Sequence, residues 1–177
     1  MKKVVLVYGL VAGLAVSLIM CISMAIYAGC DHSEASMLVD YASMLLAFSM
    51  IFVGIKNFRD KQNGGFITFG KAFKIGTLIA LIASTMYVLA WAIEYHFFLP
   101  DFMDTYTASS IEKAKKAGAA AVELEKITKE ANDMNKLYKK PFFFVLFTYA
   151  EILPVGLIVT LIASLILKRK KPVTSIA

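Results

Sequence analysis

The chain has 177 residues, of which 59% are hydrophobic and 18% charged, and it carries a formal net charge of +6. Soluble domains are roughly half apolar and a quarter charged, so this composition excludes an ordinary soluble core and intrinsic disorder. Ten glycines and two cysteines also exclude collagen-like chains and disulfide scaffolds.

Four apolar segments follow one another along the chain, and Asp40 and Glu151 are charges inside the second and the fourth. About 20 helical residues cross the roughly 30 Å hydrocarbon layer, so each segment is long enough to span. Helices buried in a soluble protein are the alternative, but little polar sequence remains to cover four of them. We predict an all-α, polytopic membrane protein with one domain over 1–172 and a tail over 173–177. The four transmembrane helices are predicted at about 4–29, 37–56, 72–97 and 142–167.

The basic residues are distributed unevenly between the two sides of the predicted bundle. The termini and the second connection carry eleven basic residues and one acid, Asp60, whereas the other side is acidic overall. The positive-inside rule then predicts that both termini lie in the cytoplasm. Because the excess positive charge lies in short flanks, it indicates contacts with the lipid bilayer and no nucleic-acid partner.

The N-terminal segment also has features of an export signal. Lys2 and Lys3 precede an apolar run, but that run is longer than the usual core of a signal peptide. Ala28-Gly29-Cys30 is similar to the end of a lipoprotein cleavage box, although Tyr27 stands where an aliphatic residue is usual. An uncleaved first helix with an interfacial tyrosine fits the pattern better. Lipidation of Cys30 stays an open alternative.

Small residues four positions apart recur on three of the four predicted spans. Such stripes let helix backbones approach closely, so they indicate helix packing. A tight bundle within one chain is the leading interpretation, and a homo-oligomer interface is the alternative. The stripes are Gly9, Gly13 and Ser17; Gly76, Ala80 and Ser84; and Gly156, Thr160 and Ser164.

The second connection combines a turn signal with aromatic and basic residues. Asn63-Gly64-Gly65 favours a turn because these residues tolerate positive φ. The residues after it suit the head-group level, where aromatic rings bury and lysine side chains reach to water. We interpret them as interfacial anchors at the entry of the third helix, or alternatively as a lipid or partner contact. They are Phe66, Phe69, Lys71, Phe73 and Lys74.

This connection also carries a family resemblance. Phe58-Arg59-Asp60-Lys61, followed by the segment 64–76, resembles the central motif of bacterial membrane proteins grouped as domain of unknown function 4199. The order of segments is similar too, and Pro154-Val155-Gly156-Leu157-Ile158 before the basic tail resembles the family's ending. The resemblance covers about residues 1–172. It implies a four-helix integral membrane protein and supplies no catalytic or binding residues.

The connection over 98–141 is the one polar segment, and it is predicted to lie outside the cytoplasm. Ser109 and Ser110 offer hydroxyls for a helix start after an extended stretch, and apolar residues then recur every three or four positions to Tyr138. We expect an amphipathic helix of about 30 residues, or a helix that bends near Gly118. Its apolar stripe either packs on the membrane surface or the bundle, or pairs with another subunit or partner.

Glu151 is the most unusual residue of the fourth span. A charge deep in a membrane is costly, so we expect it to face the bundle and to be protonated or hydrogen-bonded. Ser84, Thr85 and Tyr87 are the candidate partners of this intramembrane polar site. An interhelical hydrogen bond that fixes packing is the leading interpretation. A proton or cation site in a transport path is the alternative.

Searches for sites with known chemistry predict neither an enzyme nor a cofactor. His32 and His96 lie near Cys30 and Asp40 but lack ligand-pair spacing, so no metal site is predicted. Phosphate loops, dinucleotide fingerprints, nucleophile elbows and zinc-protease motifs do not occur in the sequence. The leading functional hypothesis is a small integral membrane protein without catalytic activity that packs with itself or with a membrane protein partner. A transporter or channel subunit using Glu151 is the alternative.

Overall fold

The described part of the chain folds into six α-helices, four of which are long and apolar enough to cross a membrane. A computed structural model describes the backbone of residues 1–27 and 34–170 and the side chains of 1–24 and 41–170. The prediction of an all-α, four-span membrane fold is confirmed, and the spanning helices are α1, α2, α3 and α6. The helices are α1 Lys2–Tyr27, α2 Glu34–Asn57, α3 Phe69–Phe97, α4 Phe102–Lys116, α5 Ala121–Tyr138 and α6 Pro141–Leu167.

Helix α3 is the centre of the bundle, because it packs against α1 on one side and α6 on the other. Helix α2 packs against α1 and α6 and completes the bundle. Side chains such as Ile75, Ile79 and Ile152 are fully enclosed between the helices. Aliphatic side chains such as Leu18 and Ile158 cover the outside, which is the surface that lipid chains solvate.

Helix α3 begins three residues before the predicted position 72. Thr68 is extended, and its hydroxyl oxygen accepts a hydrogen bond from the backbone N–H of Lys71. This cap satisfies one of the N–H groups that a helix start leaves without a backbone partner, so the helix begins at Phe69.

The connection between α3 and α6 forms a helical hairpin, so the prediction of one long helix after an extended stretch is wrong. Helix α4 already begins at Phe102, and the hydroxyl of Ser110 donates to the Tyr106 carbonyl within that helix. Gly118 has a φ of +76°, and the N–H groups of Gly118 and Ala119 bond back to Lys115 and Ala114. This closure is a Schellman motif, which ends α4 and turns the chain back. The alternative of a bend near Gly118 is the one that the structure shows.

The two ends of the bundle are built from different parts of the chain. The N-terminal amine donates to Gln62 Oε1 at 2.9 Å, and Ile67 pairs with Arg169 through two backbone hydrogen bonds. The start of α1, the α2–α3 connection and the end of α6 therefore meet at one end. We call this the basic end, made of residues 1–3, 56–74 and 168–170. The opposite end, which carries α4 and α5, is the hairpin end.

Candidate functional site

The small residues of α3 and α6 face each other inside the bundle. A Cβ atom added to Gly76 would lie 2.6 Å from Thr160 Cγ2. One added to Gly156 would lie 2.9 Å from Phe48 Cζ and 3.0 Å from the Cβ of Ala80. These distances leave no room for a side chain, so the glycines set how closely α3 approaches α6.

The stripe of α1 packs against the opposite side of α3. A Cβ atom on Gly9 would lie 2.8 Å from Ile82 Cβ, and one on Gly13 would lie 2.9 Å from Met86 Cβ. Ser17, one step further, is half-buried. Large side chains of α3 therefore fill the groove that the small residues leave in α1. The glycines of all three stripes are covered within one chain, in line with the interpretation of an internal bundle.

The prediction that Glu151 faces the inside of the bundle is wrong, because its side chain is exposed on the surface of the bundle. The inward face of α6 is formed by Thr148, Ile152 and Gly156. Successive residues of a helix are turned by about 100°, so a position next to Ile152 points away from the centre of that face. The carboxyl is close enough to Tyr138 for its charge to act on the phenol.

The three predicted partners of Glu151 do not share one environment. Ser84 is fully buried and Tyr87 is buried, whereas Thr85 is exposed. The Thr85 hydroxyl is hydrogen-bonded to Tyr149 at 2.8 Å and donates to the Leu81 carbonyl. The link between α3 and α6 at this level therefore runs through Thr85 and Tyr149. A polar site that includes Glu151 stays a prediction.

Hydroxyl groups account for most of the polarity inside the bundle. Ser84, Thr160 and Ser164 are fully buried, and their side-chain oxygens have no hydrogen-bond partner among the described residues. Hydroxyls donate and accept hydrogen bonds but do not ionise in the physiological range. This arrangement suits specific packing, and by itself it offers no acid, base or nucleophile pair.

Backbone hydrogen bonds shape the turn at the basic end. A single π-helical turn, Phe58–Gln62, follows α2, and Gly64 and Gly65 then adopt φ values of +66° and +85°. The Gly65 N–H donates to the Arg59 carbonyl at 2.8 Å, which closes the turn. The Asn63 amide donates to the Phe66 carbonyl. The turn predicted from Asn63-Gly64-Gly65 therefore aims the chain toward the end of α6.

Two cations strengthen this turn. The Arg59 guanidinium donates to Asp60 at 2.6 and 3.1 Å and to the Leu167 carbonyl at 3.3 Å, at the last residue of α6. Lys71 donates to Asn63 Oδ1 at 2.8 Å, and its ammonium lies 5.0 Å from the centre of the Phe58 ring. The connection is thus tied to α2, α3 and α6 at once.

The predicted anchors lie together at the start of α3. Phe69 is exposed and stacks on the half-buried Phe73 with ring centres 5.7 Å apart. Phe66 is half-buried, while Lys71 and Lys74 are exposed. Exposed rings beside exposed ammonium groups suit a membrane–water boundary.

An aromatic cluster joins the hairpin to the spanning helices. Trp91 Nε1 of α3 donates to the Tyr138 hydroxyl of α5 at 2.7 Å. The Trp91 ring also contacts Phe102 edge-on, and Phe144 of α6 contacts Tyr138 in the same way. Burial raises the pKa of the Tyr138 phenol. The hydrogen bond from Trp91 and several ring contacts therefore link α3, α4, α5 and α6.

A polar cluster closes the base of the hairpin beside this aromatic cluster. Asn135 Nδ2 donates to Asp104 at 2.8 Å, and Lys139 Nζ pairs with the same carboxylate at 2.9 Å. The Asn135 amide, followed by the Lys139 ammonium, lowers the pKa of Asp104. The carboxylate is thus ionised at neutral pH and bridges α4 to α5.

A comparison with known protein families matches residues 7–169 to the family described as "Protein of unknown function (DUF4199)". The chain belongs to this family. No curated protein and no solved structure matches it. The match of this DUF4199 protein covers most of α1, all of the helices from α2 to α6, and Arg169, which pairs with Ile67.

Several contacts of this DUF4199 protein were missed by sequence reasoning. The side chains of Asp104, Asn135 and Lys139 come together only because α4 and α5 fold into a hairpin. The one residue in the sequence that indicates this hairpin is Gly118. The hydrogen bond from Arg59 to the Leu167 carbonyl joins positions 108 residues apart, so no local sequence pattern predicts it. Trp91, the one tryptophan of the chain, was the available signal for the aromatic cluster.

Some predictions fall on parts of this DUF4199 protein outside the described residues. The side chains of Cys30, His32 and Asp40 and the tail 173–177 belong there, so lipidation of Cys30 stays a prediction. His96 is exposed and packs edge-on against Phe97. Among the side chains that the structure describes, no three metal-binding residues cluster.

Proposed function

We propose that this DUF4199 protein is a small integral protein of the bacterial inner membrane with both termini in the cytoplasm. It acts without catalysis, through contacts between its bundle or hairpin and a partner in the same membrane. One observation carries the proposal: the glycine stripes of α1, α3 and α6 are covered within one chain. The stripes therefore need no second chain to cover them, and the lipid-facing side chains and the hairpin are surfaces that a partner can reach.

The hairpin is the better surface for a partner because its base is fixed to the bundle and its tip is exposed. Trp91 and Tyr138 hold its base to the bundle, and Asp104 ties α4 to α5. Beyond this base, Val122 near the start of α5 is 82% exposed. A rigidly mounted apolar side chain loses little conformational freedom when a partner covers it.

The topology is tested by labelling single cysteines in intact cells with a maleimide that does not cross membranes. The variants are Lys61→Cys at the basic end and Lys126→Cys on the hairpin, in a chain whose native cysteines are serines. The proposal expects labelling at position 126 and none at position 61 until the cells are opened. The reverse pattern would overturn the orientation while leaving the four-span fold intact.

The contact role is tested by placing a photo-crosslinking amino acid at position 122 and, as a control, at the lipid-facing position 158. An adduct of defined mass that forms at one position and not the other supports a specific contact surface. Equal, diffuse adducts at both positions, or none, would contradict it.

The transport alternative is tested on the purified protein in liposomes, with and without Glu151→Gln. The proposal expects no proton or cation flux from either protein. Flux that the wild type supports and the variant lacks would replace the proposal with a transport function.

A further inference from the structure

The basic end holds a cationic cluster that exceeds its own counter-charge. Asp60 is paired with Arg59, and both Lys56 and Arg169 lie close enough to act on its charge. Lys56 lies three residues before Arg59 in the chain, and Arg59 donates to the Leu167 carbonyl two residues before Arg169. Three cations and one carboxylate therefore share this region, with a net charge of about +2. Such an excess, held in one small region, is suited to bind an anion.

The cluster is preorganised by the backbone. Arg169 donates its N–H to the Ile67 carbonyl at 2.9 Å and accepts from the Ile67 N–H at 3.1 Å. Arg59 is held by Asp60 and by the Leu167 carbonyl. The backbone position of Arg169 is therefore fixed, while its side chain and that of Lys56 remain exposed.

The position of the cluster indicates which anion it meets. On α2, Val53 is 43% exposed and precedes Lys56 by one helical turn. On α6, Ile166 is 65% exposed and precedes Arg169 by three residues. Along α2 and across the end of α6, the exposed surface thus changes from aliphatic to cationic within three residues. A ligand that matches this change has acyl chains next to a phosphate.

We propose that Lys56 and Arg169, organised by the Arg59–Asp60 pair, bind the phosphate of an anionic phospholipid head group. Arginine presents a planar fork of donors that matches phosphate oxygens, and lysine adds a mobile point charge. Asp60 supplies no contact to the lipid; it holds Arg59 in place. The inference rests on the membrane location that the proposed function also uses, and it requires neither a partner nor a particular orientation.

The site is tested by titrating short-chain phosphatidylglycerol into the full chain in neutral detergent and counting bound lipid by native mass spectrometry. Phosphatidylcholine serves as the zwitterionic comparison. The double variant Lys56→Gln/Arg169→Gln should bind phosphatidylglycerol about 30-fold more weakly, from the usual contribution of a basic residue near an anionic surface. The matched control, Lys126→Gln/Lys129→Gln on α5, removes the same charge and should bind like the wild type.

Three results would overturn the proposal: equal loss in the control variant, no loss in the double variant, or displacement of phosphatidylglycerol by an equal concentration of inorganic phosphate. The last would assign the cluster to free phosphate. Both exchanged side chains are exposed and the bonds to Ile67 are made by the backbone, so the double variant should fold. Unchanged helicity and unchanged protection of the Ile67 amide verify this. If the protein is extracted into detergent normally but does not bind phosphatidylglycerol, the lipid site is refuted while the membrane location is not.

Discussion

The two ends of the bundle are held together by different kinds of contact. At the basic end, backbone groups bond across the connection as well as side chains: Ile67 pairs with Arg169, and the Gly65 N–H closes a turn onto the Arg59 carbonyl. At the hairpin end, side chains dominate, with the indole of Trp91 donating to Tyr138 among several aromatic rings.

This difference follows from what each end has to join. The basic end connects α2 to α3 through a short segment, 58–68, so the backbone itself reaches the end of α6. The hairpin end must attach two polar helices to an apolar bundle, and large rings supply the contact area for this. We therefore expect the hairpin end to respond to loss of ring area, and the basic end to respond to changes of backbone conformation.

The largest effect is expected from Trp91→Ala. Removing a buried tryptophan costs about 3–5 kcal/mol, and here it also removes the hydrogen bond to Tyr138. Hydrogen exchange of α4 and α5 amides should accelerate strongly, while the Ile67 amide stays protected. Leu89→Ala, which shortens a 59% exposed side chain of the same helix, is the control and should change little. Equal acceleration at both ends would contradict the separation of the two regions.

A somewhat smaller effect is expected from Gly65→Val. Its φ of +85° is strained for a β-branched residue, at a cost of about 1–3 kcal/mol. The amides of Ile67 and Arg169 should lose protection, and the hairpin should keep its own. Gly70→Val makes the same change five residues later, where φ is ordinary and the added Cβ would have open space. If both variants lost protection equally, backbone strain would not be the cause.

Lys71→Met tests how much a side chain contributes at the basic end. The change keeps an unbranched apolar stem but removes the hydrogen bond to Asn63 and the cation above Phe58. Each such contact is worth about 1 kcal/mol at a partly exposed site, so the loss in thermal stability should be modest. Lys74→Met, on the next turn of α3, is the control. A loss as large as that of Gly65→Val would show that side chains carry this end too.

The smallest effect is expected from protonation of Asp104 at the hairpin end. The pKa of Asp104 is lowered in the folded protein by the Asn135 amide and then by the Lys139 ammonium. The ionised carboxylate therefore stabilises the hairpin at all pH values above its ordinary pKa of about 3.9. This stabilisation declines as the pH falls through the lower, folded pKa. Exchange in α4 and α5 should rise in that range, and Asp104→Asn should remove the part of the pH dependence that this carboxylate causes.

The four spans were predictable because a long apolar run in a short chain has few alternatives to a membrane helix. The start of α3 differs from the prediction by three residues because Thr68, a single capping residue, decides where the helix begins, whereas the predicted end agrees. The break at Gly118 was considered only as an alternative, since a weak apolar stripe runs through the segment on both sides of it. Local patterns thus identify helices well but describe their connections poorly.

The polar residues were harder to place than the helices. Hydropathy shows that Glu151 lies within a span, but the direction of its side chain depends on which face of α6 the other helices cover. That face is set by Gly156 against Phe48 and Ala80, a three-helix contact that one segment does not reveal. The hydrogen bond from Arg59 to the Leu167 carbonyl likewise depends on how distant segments pack, so neither segment alone predicts it.

The close packing of α3 on α6 has a consequence for biosynthesis. The α3 face around Gly76 meets Thr160, which the ribosome adds 84 residues later. At ordinary translation rates of 5–20 residues per second, this delay lasts roughly 4–17 s. During that time the newly inserted α3 has no α6 to cover its glycine face, so the membrane insertion machinery or lipid must shield it until the last helix arrives.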